Sequence, residues 1–119
     1  MVIVDDSPIV QERLKTMVEE LGFFEEVYPA SSYSEAEQLI LEKKPKVILL
    51  DLNLPDKNGF EVLRMLKRKG IPCRVLVVSN NADTFYREQS IALGAENFVD
   101  KSNEFEMIPS LLKNMVTDL

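Results

Sequence analysis

Apolar residues along this chain fall into two rhythms that alternate from end to end. Short unbroken runs, Val2-Ile3-Val4 and Val47-Ile48-Leu49-Leu50 among them, are separated by longer stretches with apolar positions three and four residues apart. An unbroken run bounded by turn signals reads as a strand buried on both faces, and the three-to-four spacing reads as a helix with one buried face. The first strand, Val2–Val4, ends in Asp5-Asp6, and Ser7-Pro8 supplies a cap and a first-turn proline. The helix that follows buries Val10, Leu14, Met17, Val18 and Leu21 and stops at Gly22. A second strand spans Glu26–Ala30, with Pro29 pushing it towards a sheet edge. Ser34-Glu35-Ala36-Glu37 reads as a capping box opening a helix with Ala36, Leu39 and Ile40 inward, which stops before Pro45.

The third strand is Val47–Leu50, running into Asp51. Gly59-Phe60 leads into a helix with Val62, Leu63 and Leu66 inward, ended by Lys69-Gly70. Arg74–Val78 is a fourth strand finishing at Ser79, Ala82–Leu93 a helix closed by Gly94, and Glu96–Asp100 a fifth strand running up to Lys101. The last helix buries Ile108, Leu111, Leu112 and Met115 and starts near Met107, because an earlier start would put Pro109 in its interior. Strands and helices alternate five times, and each parallel connection needs a crossover. The expected class is therefore α/β: a doubly wound, five-stranded parallel sheet with helices on both faces, as one domain over residues 1–119.

Composition narrows the chemistry. The 119 residues are 45% apolar, with 14 Lys and Arg against 20 Asp and Glu for a net charge of −6. That balance argues against a surface that grips nucleic acid or an anionic membrane. With one cysteine, Cys73, no internal disulfide forms, and the expected compartment is the cytosol. The chain has no histidine, which excludes Ser-His-Asp and Cys-His catalysis and leaves oxygen ligands, apart from one thiol, for any metal.

Five polar groups then stand out at strand carboxyl ends: Asp5 and Asp6 after the first, Asp51 after the third, Ser79 after the fourth and Lys101 after the fifth. In a doubly wound sheet those ends share one edge, where ligands bind. Crowded carboxylates repel one another, and a hard divalent cation such as Mg²⁺ offsets their charge best. Carboxylates are also nucleophiles in phosphoryl transfer, where catalysis is mainly positioning and neutralisation. The set points to Asp51 as a phosphoryl acceptor, with Mg²⁺ on Asp6 and Asp51, the Lys101 ammonium on a second phosphoryl oxygen and the Ser79 hydroxyl on a third. Taken singly, each residue has an ordinary alternative: helix cap, turn residue or solvated lysine.

These residues resemble the receiver domain of two-component response regulators, and the chemotaxis-type single-domain receiver can be laid along the chain nearly end to end. The resemblance implies a flavodoxin-like strand order 2-1-3-4-5. It makes Asp51 the phosphoacceptor, Asp6 a direct ligand of Mg²⁺ (or Mn²⁺), Asp5 a ligand through water and the Asn53 backbone carbonyl a further one. Leu54-Pro55 and Gly59 match the loop that follows. Ser79 and Lys101 become the phosphoryl-binding pair, and Phe98 the switch aromatic three residues before the lysine. Two positions depart from the family pattern: Asn80, where a small residue is usual, and Ser102, where a proline after a cis peptide is usual. The implied partners are a sensor histidine kinase or phosphotransfer domain upstream and a downstream target or fused output domain, with no direct nucleic acid or membrane contact. The chain would then be no enzyme on separate substrates, although it promotes its own phosphorylation and dephosphorylation.

Three other readings share parts of this pattern. A haloacid-dehalogenase-type phosphatase carries a second Asp two residues after its nucleophile, where this chain has Asn53, and places the nucleophile on its first strand. A flavodoxin-like cofactor binder needs a phosphate loop where this chain has Asp5-Asp6. An inactive receiver used only for docking would not need the full set of site residues.

Overall fold

The computed structural model of the chain describes residues 1–117. Its elements are β1 (Val2–Val4), α1 (Pro8–Leu21), β2 (Tyr28–Ala30), α2 (Tyr33–Lys43), β3 (Val47–Leu50), α3 (Phe60–Arg68), β4 (Arg74–Ser79), α4 (Thr84–Ala92), β5 (Asn97–Asp100), a 3₁₀ turn (Phe105–Met107) and α5 (Ile108–Thr117). The five strands form one sheet in the order β2-β1-β3-β4-β5, every neighbouring pair parallel. No helix of the described residues is long and apolar enough to cross a membrane.

Successive strand residues point to opposite faces, so an apolar strand buried on both sides feeds two cores. Val2, Val4, Ile48, Leu50, Val75 and Val77 pack with Ala36, Ile40, Val62, Leu63 and Leu66 of α2 and α3. Ile3, Leu49, Leu76, Val78 and Val99 face the other way, against Leu14 and Val18 of α1 and Ile108, Leu112 and Met115 of α5. The unbroken runs in the sequence are thus two interleaved faces.

Helix ends follow the capping chemistry, with corrections at α2 and α4. Ser7 caps α1 by accepting from the Val10 N–H, and Gly22 closes it with φ of 72°. The expected box at Ser34 lies two residues too late: Ser32 is the cap and accepts from the Glu35 N–H at 3.1 Å, while the Glu35 carboxylate accepts from Ser31 N–H. The earlier start lets Tyr33 bury in the core, which a cap at Ser34 would leave outside the helix. The second strand is shorter than expected and starts at Tyr28. It lies at the sheet edge, where the missing N–H of Pro29 is tolerated. The fourth helix is trimmed to Thr84–Ala92 by an Asp83 cap, and α5 starts at Ile108, so Pro109 falls in its first turn.

Gly59 sits where the β3–α3 loop folds back on the strand end, its N–H donating to the Leu52 carbonyl at 2.7 Å. A Cβ there would overlap the Asp51 carbonyl oxygen and come within 2.7 Å of the Leu52 Cα, both backbone atoms that cannot swing aside. Gly59→Ala is expected to lower unfolding free energy by about 1–3 kcal/mol, measured by urea denaturation. A variant with wild-type midpoint and slope would contradict that packing.

Candidate functional site

Strand register brings the site together. Val4 pairs with Leu50 and Ser79 with Asp100, so the residues just beyond β1, β3 and β5 reach the same edge as the end of β4. The backbone ladder continues past the strands: Asp5 N–H donates to the Ala30 carbonyl at 2.9 Å, Asp51 N–H to Val4 at 2.8 Å and Lys101 N–H to Ser79 at 3.0 Å. The expected acidic, hydroxyl and ammonium groups are therefore fixed by the sheet itself.

Asp5 and Asp51 are 1% and 4% exposed, and Ser79 is fully buried, whereas Asp6 is exposed. The Lys101 Nζ donates to Asp5 Oδ2 at 2.7 Å and to Asp51 Oδ2 at 3.1 Å. The other oxygen of each carboxylate accepts a local backbone N–H, from Ser7 at 2.9 Å and from Asn53 at 3.3 Å. Oxygens of Asp5, Asp6 and Asp51 all lie within 4.8 Å of one another. Three hard oxygen donors this close, with lone pairs to spare, fit a small divalent cation.

The electrostatics follow from burial. Desolvation pushes the Asp51 carboxyl above its usual range and the Asp5 charge adds to that, while Lys101 opposes both. Desolvation also works to lower the Lys101 ammonium, but its hydrogen bond to Asp5 and the charges of the two carboxylates outweigh it and raise the pKa. A desolvated carboxylate beside the Lys101 ammonium is suited to accept an electrophile whose oxygens that ammonium can share.

The supporting residues were mostly unmarked in the sequence. Gln11 of α1 reaches across with Nε2 to the Asp5 and Ala30 carbonyls and to Ser31 Oγ, tying the β1 loop to the end of β2. The Asp56 carboxylate accepts from the Tyr33 and Ser34 N–H groups at 2.9 and 3.0 Å and so caps α2 from the β3–α3 loop. Nothing in the residues around Asp56 indicates a helix twenty-odd residues away as its partner. Asn53 lies in an isolated bridge with Asn58, and its side-chain oxygen accepts from Asn81 Nδ2 at 2.9 Å. The Ser79 Oγ accepts from the Asn81 N–H.

Phe98 is buried beneath the Arg87 guanidinium, which lies 5.0 Å from its ring centroid and pairs with Glu104 at 2.8 Å. The two departures noted in the sequence meet here: Ser102 Oγ donates to Asn80 Oδ1 at 3.1 Å. The Lys101–Ser102 peptide is trans, as are the others among the described residues. Cys73 lies remote from this edge, half-buried against the core, and burial pushes its thiol up to about 12.

The family described as response regulator receiver domain matches residues 1–113. The nitrate/nitrite response regulator protein homolog of Haemophilus influenzae is 30% identical over 97% of this chain and 55% of its own length. The putative positive transcription regulator of virulence factors from Bordetella pertussis, BvgA, is 26% identical over 95% of this chain and 54% of its own. This chain thus spans about half the length of the curated relatives it matches. Among solved structures, the signal receiver domain of a DNA-binding response regulator from Colwellia psychrerythraea superposes with a TM-score of 0.89 at 23% identity, covering 98% of this chain and 96% of that one.

The raised Asp51 value has a consequence for stability. A carboxyl held more tightly protonated in the fold contributes stability below the usual carboxylate range, and that contribution is lost as pH rises through the raised folded value. At neutral pH, metal-free, the ionised Asp51 is therefore a cost. Asp51→Asn should melt higher than the wild type by a few degrees at about pH 7, an advantage that shrinks towards pH 4. An equal or lower melting temperature for the variant across that range would contradict the assigned environment.

Proposed function

The chain belongs to the response regulator receiver domain family, and from that premise we propose that Asp51 is a phosphoacceptor whose modification switches the surface presented to a signalling partner. The observation that carries this reading is the buried Asp51 carboxylate held 3.1 Å from the Lys101 ammonium, with oxygens of Asp5 and Asp6 close enough to share a cation. An ionised Asp51 oxygen attacks the phosphorus of the donor, forming a new P–O bond. The bond from phosphorus to the leaving group breaks, and that group departs with the electron pair. The donor is a phosphohistidine of a sensor histidine kinase or phosphotransfer domain, or a small acyl phosphate. No general base is required, because the attacking oxygen carries no proton.

In this reading Asp6, Asp51 and the Asn53 carbonyl would hold Mg²⁺ (or Mn²⁺), with Asp5 assisting through water. When bound, the cation neutralises phosphoryl charge that three carboxylates would otherwise repel. Lys101 exchanges part of its hold on Asp51 for a phosphoryl oxygen, and the Ser79 hydroxyl donates to another. Withdrawal of Ser79 towards the new anion frees space for Phe98, and the face made by α4, β5 and α5 changes with it. A local charge event of this kind biases an element with two arrangements. Residues 1–119 act as one receiver domain in the cytoplasm, passing the change to a target or a fused output domain. The domain itself does not contact nucleic acid or membrane, in keeping with its charge of −6. It is not a conventional enzyme, though it accelerates its own phosphorylation and dephosphorylation.

Incubation with acetyl phosphate and Mg²⁺ should add one phosphoryl mass to the intact chain. Asp51→Asn or a chelator should abolish the addition. Labelling of Asp51→Asn at the wild-type rate would overturn the assignment, and no labelling of the wild type would favour an inactive docking receiver. Lys101→Ala should still take up some label but lose the change in the α4-β5-α5 face, followed by amide exchange of those elements. A full exchange response in Lys101→Ala would remove the lysine from the switch.

A further inference from the structure

We propose that Asn80 and Ser102 form a clasp between the two loops that carry Ser79 and Lys101, so that hydroxyl and ammonium meet the phosphoryl group as one positioned unit. The proposal rests on the phosphoacceptor reading of Asp51. Its starting point is a side-chain bond that joins the loop after β4 to the loop after β5, Ser102 Oγ donating to Asn80 Oδ1 at 3.1 Å. A small residue at 80 would leave Ser102 without this partner, and a proline at 102 would leave Asn80 without it.

The clasp sits where it can transmit position. One residue earlier on each loop, the Lys101 N–H donates to the Ser79 carbonyl at 3.0 Å, so the side-chain bond adds a second rung beyond the end of the sheet. From the other side, the Asp100 carboxylate accepts from the Ser102 N–H and from Asn103 Nδ2, each at 3.0 Å. The loop after Lys101 thus takes its stiffness from side-chain hydrogen bonds where a proline ring would otherwise restrict φ. Asn80 and Ser102 are themselves exposed and touch neither the Lys101 ammonium nor Asp51, so they act as positioning residues. Ser79 donates to a phosphoryl oxygen only if it moves towards the anion. With the clasp intact, the Lys101 loop is drawn the same way.

A double-mutant cycle tests this on the full chain, with acetyl phosphate and Mg²⁺ as reagents and intact mass as the readout of uptake. Asn80→Ala and Ser102→Ala should each slow uptake roughly three- to ten-fold, and the double variant should be no slower than the slower single one. Ser102→Thr, which keeps the hydroxyl, should restore a rate near that of the wild type, and all melting temperatures should stay together. Single variants within about two-fold of wild type, a double variant whose effect is the product of the two, or a threonine variant as slow as alanine would overturn the clasp. A wild type that takes no label at all fails differently, since it overturns the phosphoacceptor reading and the clasp with it.

Discussion

One ammonium group between two buried carboxylates is the constraint on which this structure turns. Lys101 holds Asp5 at 2.7 Å and Asp51 at 3.1 Å in a pocket that excludes most water from both acids. Taking such charges out of water is costly, and good geometry with extra hydrogen bonds is what makes it tolerable. The extra bonds are here, from the Ser7 and Asn53 N–H groups. The compensation is incomplete, as the raised Asp51 carboxyl shows: two acids share one cation, and exposed Asp6 brings a third negative charge to the same edge. A site left short of positive charge favours a divalent cation and tolerates an incoming phosphoryl group once that cation is bound.

The rest of the fold holds these groups still. Each of the three residues, Asp5, Asp51 and Lys101, sits one position past a strand and is hydrogen-bonded by its own N–H to the neighbouring strand end. Their spacing is therefore set by the interval between parallel strands rather than by loop conformation. Loops make the next layer: Gly59 lets the β3–α3 turn close against Asp51, Gln11 ties β1 to β2, and Asp56 joins that same turn to α2. Farther out, Arg87 covers Phe98 and pairs with Glu104, linking α4, β5 and the start of the last helical segment.

Much of this was legible in the residues alone. Strands buried on both faces betray themselves as unbroken apolar runs, and carboxyl-end residues can be named by counting to the end of each run. That is why Asp5, Asp6, Asp51, Ser79 and Lys101 were identifiable before their distances were known. Pro29 foretold an edge strand and Pro109 a late helix start. The misplaced cap shows the limit: Ser32 and Ser34 both offer a hydroxyl with a glutamate three residues on, and tertiary burial of Tyr33 chose between them. Long-range polar bonds were illegible for the same reason. Asp56 on α2, Gln11 on β2 and Ser102 on Asn80 each join segments whose proximity only the folded sheet creates.

The proposed acceptor is the carboxylate of residue 51, one of three whose oxygens lie within 4.8 Å of one another. Borohydride reduction of the phosphorylated chain converts an acyl phosphate to an alcohol and so marks the acceptor permanently, and peptide sequencing by mass spectrometry then reads its position. Homoserine at position 51, with aspartate intact at 5 and 6, is the predicted result. Homoserine at position 5 or 6, with Asp51 unmodified, would contradict the account at its centre.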